Sequence, residues 1–177
     1  MRILTCLVAL AVASGAFAGT PTSAELLAKA STAAKKDGKN VLVIFHASWC
    51  GWCKRFDKFL DTTEEGKLVK GGLEVVHITV LENPAHKADE NAGGLDLMIK
   101  LGGKDAGLPF MAILDAKSGK MIVNSLQKAG EPRTNTGYPA APEEVGHFVK
   151  MLQKGAPKIG DGSVKKVEAW LTANAPK

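Results

Sequence analysis

Val41-Leu42-Val43-Ile44-Phe45-His46-Ala47-Ser48-Trp49-Cys50-Gly51-Trp52-Cys53-Lys54 decides how this chain is read. Its first six residues form an apolar run without alternation, as a central strand covered on both faces requires. Lys54-Arg55-Phe56-Asp57-Lys58-Phe59-Leu60 then reads as a helix, with Cys53, Phe56 and Leu60 on one face and Lys54, Arg55 and Lys58 outside it. Cys50 therefore falls where a strand hands over to a helix N-terminus. The unpaired backbone N–H groups there stabilise an anion. A thiolate is the anion that thiol–disulfide exchange uses.

Outward from this stretch, elements of both periods alternate. Thr22-Ser23-Ala24-Glu25 has the form of a capping box, and Leu26, Leu27, Ala30, Ala33 and Ala34 follow at helical spacing up to Gly38. A second helical turn is expected over 64–70, before Gly71-Gly72. Leu73 to Val80 reads as a strand with Val76, Ile78 and Val80 on one face. Asn83-Pro84 opens a polar loop. Leu95, Met98, Ile99 and Leu101 then suggest a helix stopped by Gly102-Gly103. Phe110–Leu114 and Lys120–Asn124 read as a hairpin around the turn residues 115–119. Residues 125–140 read as a loop holding the only tyrosine, Tyr138. Pro142 suits the first position of a helix whose buried stripe is Val145, Phe148, Val149 and Leu152. Beyond Gly155-Ala156-Pro157, Val164, Val167, Trp170 and Leu171 make a last amphipathic helix. The order predicts an α/β fold, a mixed sheet with helices on both faces.

The chain's 177 residues suit one folded domain, and 45% apolar content supports a core without disulfide staples. The net charge of +5 comes from scattered lysines, with no basic stripe, so nucleic acid is not an expected partner. Arg2, the apolar run Ile3–Ala13 and Ala16-Phe17-Ala18 read as a signal peptide over residues 1–18, cleaved before Gly19. Cys6 would leave with it. Of three cysteines, the exported chain would keep only Cys50 and Cys53. An exported protein that used cysteine for stability would spread it along the chain, so this pair points to chemistry.

Cys50, as the attacking thiol, is expected to be exposed and acidified by the helix N-terminus, with Lys54 and Arg55 adding positive potential. Free cysteine titrates at about 8.5, and thiols of this motif fall to about 3.5–7.5. Cys53, one turn on and inward, would attack the mixed disulfide at Cys50 and release the substrate. A zinc site or a structural disulfide is the other reading of the pair. Zinc usually takes four ligands, a second CxxC is missing, and His46, His77, His86 and His147 show no ligand spacing. Haem attachment would need histidine where Lys54 stands.

The segment Phe45–Lys54 resembles the active-site segment of thioredoxin-fold proteins, and Gly107-Leu108-Pro109 resembles that family's cis-proline loop. The resemblance covers roughly residues 23–153. It implies a thioredoxin fold with a mixed parallel and antiparallel central sheet: a domain over 19–155, followed by a helical extension over 156–177. It also implies a cis bond after Leu108 that, with Pro109, presents backbone to an extended substrate chain. Trp52 is expected at an apolar rim for that chain, Trp49 packed beneath the loop, and Gly51 as a backbone-shaping residue. His46 is expected as a strand-end histidine bonded to backbone; His46 and Lys54 are also candidates for tuning the thiolate. Two positions depart from the family: Ile44 replaces its buried acid, and the dipeptide between the cysteines is Gly-Trp.

The function so implied is an exported, periplasmic thiol–disulfide oxidoreductase, a monomer acting on protein disulfides. It needs no metal or organic cofactor and is recharged by a membrane-linked thiol donor. The uncharged Trp52 favours a reducing couple, nearer thioredoxin's about −270 mV than the oxidant DsbA's about −120 mV. The alternatives are a copper(I)- or zinc-handling protein, a binding module without turnover, and a structural role.

Overall fold

The computed structural model describes residues 19–176. The expected signal peptide, with Cys6, lies outside the described residues. The chain runs through α1 (Ser23–Asp37), β1 (Asn40–His46), α2 (Gly51–Thr62), α3 (Glu64–Gly72), β2 (Leu73–Thr79), α4 (Gly94–Lys100), β3 (Phe110–Leu114), β4 (Met121–Asn124), α5 (Pro142–Gly155) and α6 (Asp161–Ala173). Short 3-10 turns interrupt the loops at Pro84–Asp89 and Pro132–Thr134.

Local chemistry sets the first helix. Thr22 Oγ1 accepts from the Glu25 N–H, and the Glu25 carboxylate accepts from the Thr22 N–H at 2.8 Å. Gly38 closes α1 in the left-handed region at φ 63°, where a side chain would be strained.

The strands form one sheet in the order β2-β1-β3-β4. β1 pairs parallel with β2, Ile44 opposite His77 and His46 opposite Thr79, and antiparallel with β3. Its lack of alternation has the cause read from sequence, because both faces are covered. Val41, Val43 and Phe45 pack with Ala30 and Ala34 of α1 and Met98 of α4. Leu42 and Ile44 pack on the other side with Phe56 and Leu60 of α2 and Phe148 and Leu152 of α5. Val164, Val167 and Leu171 of α6 join that second cluster, so residues beyond Gly155 belong to the same core.

α4 differs from its sequence reading. Leu95 and Ile99, whose spacing with Met98 suggested the helix, are exposed. Gly94 lies against β2, where an added Cβ would come within 2.9 Å of Ile78 and Val80 side-chain atoms. That approach rotates the helix so that Gly94 and Met98 face the sheet, while Leu101, just past its end, is also buried. No helix among the described residues is long and apolar enough to cross a membrane.

Candidate active site

Cys50 is the N-cap of α2, and its Sγ accepts from the Cys53 backbone N–H at 3.1 Å. The two cysteines are joined as a disulfide, with Cα atoms 5.3 Å apart. The first turn of α2 holds no acid; Lys54 and Arg55 stand there instead. Cations at a helix N-terminus oppose its dipole by a few tenths of a kcal/mol. Here they add to the positive potential that the helix end directs at Cys50.

Cys50 is not exposed as the sequence suggested, and Cys53 lies inward beside it. Cys50 is 3% and Cys53 1% exposed, packed against Ala47 and half-buried Leu108. The two tryptophans carry the open surface instead. Trp52 is half-exposed and stacks on Tyr138, ring centroids 5.9 Å apart, with the Arg55 guanidinium 5.6 Å from the Trp52 ring and 5.8 Å from that of Tyr138. Trp49, expected beneath the loop, is equally exposed, because its Nε1–H is drawn outward to donate to the Leu81 carbonyl at 2.8 Å. Leu81 takes the left-handed conformation at φ 56° to present that carbonyl, a strained state for a residue with a side chain.

A second tie holds the approach to Cys50. Ser48 donates from its backbone N–H and its hydroxyl to the two carboxylate oxygens of buried Glu82. Burial alone would push the Glu82 carboxyl up. The two Ser48 hydrogen bonds, together with the nearby His86 and His46, outweigh it and hold the carboxyl below its ordinary range.

The wall opposite the pair is Gly107-Leu108-Pro109, with a cis bond between Leu108 and Pro109. Its position is set by a network that carried no signal in the sequence. Ser125 Oγ accepts from the Met111 N–H and donates to Asn135 Oδ1 at 2.6 Å. Asn135 Nδ2 donates to the carbonyls of Gly107 and Pro109 at 2.7 and 3.1 Å. Among the described residues, the Leu108 N–H and C=O have no hydrogen-bond partner. A groove of about 680 Å³ runs from Trp52 along Gly107 and Leu108 to Tyr138 and Arg133. Of these, Glu82, Asn135 and Tyr138 were not picked out as site residues from sequence.

His46 sits at the C-terminal end of β1, and the next residue, Ala47, packs on the cysteines. Its Nε2 meets the Thr79 hydroxyl at 3.2 Å, not a backbone group as expected, because the parallel register sets Thr79 beside it. His77, one step along β2, pairs with Asp57 of α2 at 2.8 Å and lies 5.0 Å from the His46 ring. Burial first, then the neighbouring His77, lowers the His46 pKa, against weaker pulls from Asp57 and Glu82. A histidine with a depressed folded-state pKa binds fewer protons than the unfolded chain does just below about pH 6.5. Stability is therefore full above that pH and falls as pH drops through the lowered value. Thermal unfolding followed between about pH 5 and pH 7 should show this slope, and His46→Gln should flatten it. An unchanged slope in the variant would remove His46 from the account.

No group of three or more His, Cys, Asp or Glu side chains among the described residues is arranged to hold a metal ion. The site is a CxxC disulfide at a helix N-terminus, faced by a proline loop. The chain belongs to the thioredoxin-like family, whose model matches residues 22–116. Similar solved structures include a disulphide isomerase from Xylella fastidiosa Temecula1, 21% identical over 93% of this chain and 99% of that one, with a TM-score of 0.51. A thioredoxin from Thermus thermophilus is 20% identical over 79% of this chain and 88% of its own, at a TM-score of 0.45. A DsbH oxidoreductase is 22% identical over 72% and 85%, at 0.39. No curated protein matches the chain in sequence.

Proposed function

We propose that the protein is an extracytoplasmic thiol–disulfide oxidoreductase that reduces protein disulfides. The observation that carries this reading is the Cys50–Cys53 bond at the tip of α2, with the Cys53 N–H directed at Cys50 Sγ. The helix end stabilises the Cys50 thiolate, which attacks one sulfur of a substrate disulfide. A mixed disulfide forms and one substrate thiolate leaves. Cys53, deprotonated, then attacks Cys50 Sγ, closes the internal disulfide and releases the second substrate thiolate. Two electrons pass to the substrate, and a membrane-linked thiol donor restores the pair.

Leu108 supports the substrate half of the reading. Its unpartnered N–H and C=O border the groove, and an extended chain can pair with them as an added strand. Trp52 supplies the apolar rim. Gly51 has open space around it, so a chain can come close to the backbone before Cys53. The uncharged Trp52 between the cysteines supports the reducing direction. The export signal read at residues 1–18 supports the location. The cysteine pair is itself the working couple, so no metal or organic cofactor takes part.

Cys53→Ser tests the scheme. The variant should accumulate mixed disulfides with proteins through Cys50, visible as adducts that dissolve on adding a thiol. Absence of any such adduct would overturn the enzymatic reading. A reduction potential above that of protein disulfide isomerase, about −180 mV, would overturn the reductive direction.

A further inference from the structure

The charges of α2 are divided between its two sides. Its two acids face β2 and α3, and both are paired: Asp57 with His77 at 2.8 Å and Asp61 with Lys70 at 2.8 Å. Its three cations, Lys54, Arg55 and Lys58, are exposed, and among the described residues none has a carboxylate within 4.0 Å. They rim a groove of about 500 Å³ between α2 and α6 that no aspartate or glutamate lines. Phe59 and Trp170, ring centroids 5.1 Å apart, line it together with Tyr138. Tyr138 also belongs to the groove beside the disulfide, so the two grooves meet at the Trp52–Tyr138–Arg55 stack.

We propose that this second groove docks an acidic segment of the protein with which Cys50 and Cys53 exchange disulfides. The proposal rests on the redox reading for the partner's identity. The groove itself rests on its own charges and shape. Three unpaired cations over an aromatic floor fit carboxylates flanking an apolar residue. A concave slot between two helices suits a peptide, whereas a lipid surface would meet a flat or convex face. A partner held there lies beside the disulfide, so docking raises the rate of encounter with Cys50 rather than the chemistry.

The test separates docking from exchange. Two synthetic peptides share one apolar core and carry either a four-glutamate or a four-lysine tail. In a redox-inert form, with serine for cysteine, each is titrated into the full chain at low and high salt. The glutamate peptide should bind roughly tenfold tighter than the lysine peptide at low ionic strength, and screening should erase the difference near about 0.5 M salt. Lys58→Glu should abolish the preference. Lys165→Glu, an exposed change on α6 outside the groove, should leave it intact. Equal binding of both peptides, a preference that survives Lys58→Glu, or binding of phosphatidylserine vesicles without binding of the acidic peptide would each overturn the proposal. The disulfide forms of the peptides, with hydroxyethyl disulfide as an uncharged probe, report exchange separately. Docking without reduction of any probe would sink the redox reading and leave the groove standing; reduction without docking would do the reverse.

Discussion

Cys50→Ala should abolish reduction of protein disulfides while leaving the chain folded. The two effects separate because the bond closes a very short loop. Chain-entropy reasoning gives such a cross-link about 2 kcal/mol, which for a protein of this size corresponds to a fall in melting temperature of roughly 4–8 °C. The surrounding core does not depend on it. Phe56, Phe59, Leu60 and Phe148 belong to a buried cluster that includes neither cysteine. Activity, by contrast, has no substitute nucleophile. Cys53 is 1% exposed and lies one turn inside the helix, away from its tip. The expected outcome is exchange no faster than with the small thiol alone, alongside a cooperative unfolding transition. Retained turnover would show that the chemistry is not centred on Cys50.

The largest effect on stability is expected at a glycine in the helix that follows the disulfide's own. α3 starts immediately behind the end of α2, and Thr63 ties them: its hydroxyl donates to the Phe59 carbonyl at 2.8 Å and accepts from the Gly66 N–H at 2.9 Å. Gly66 thereby lies on the α2 backbone. A methyl group there would fall 2.1 Å from the Phe59 oxygen and 2.6 Å from Leu60 Cα. Those atoms are backbone and cannot swing aside, so the helices must part. Gly66→Ala should cost about 3 kcal/mol or more, lowering the melting temperature by roughly 6–12 °C. Gly146→Ala is the comparison. It stands within α5 with nothing near its missing Cβ, so alanine there should be neutral or stabilise by up to about 1 kcal/mol. Similar melting temperatures for the two variants would refute the close crossing.

The elements legible in sequence are those with a local cause. Thr22 and Glu25 cap one another within a single turn, Pro142 opens α5, and the unbroken apolar run of β1 announces two covered faces. The cysteine pair at a strand-to-helix junction was legible for the same reason. What escaped depends on residues distant in the chain. Asn135 reaches back 26 and 28 residues to hold the loop at Pro109 and Gly107. Glu82 reaches 34 residues to Ser48, and Leu81 places Trp49. No periodicity marks such contacts. The burial of Cys50 escaped too: a nucleophile is read as exposed, but Ala47 and Leu108 close over this one in the disulfide form. Gly94 misled in the other direction, its lack of a side chain hiding the face on which α4 rests.

The two faces of the sheet become complete at different moments of synthesis. The layer containing α1 and α4 has every residue it needs once the ribosome has passed Leu126. The layer beneath α2 waits for Phe148 and Leu152, and then for Val164, Val167 and Leu171. A nascent chain therefore carries its cysteines for more than a hundred further residues before their supporting core can close. During that interval the segment that carries the cysteines lacks the packing that holds it in the finished fold.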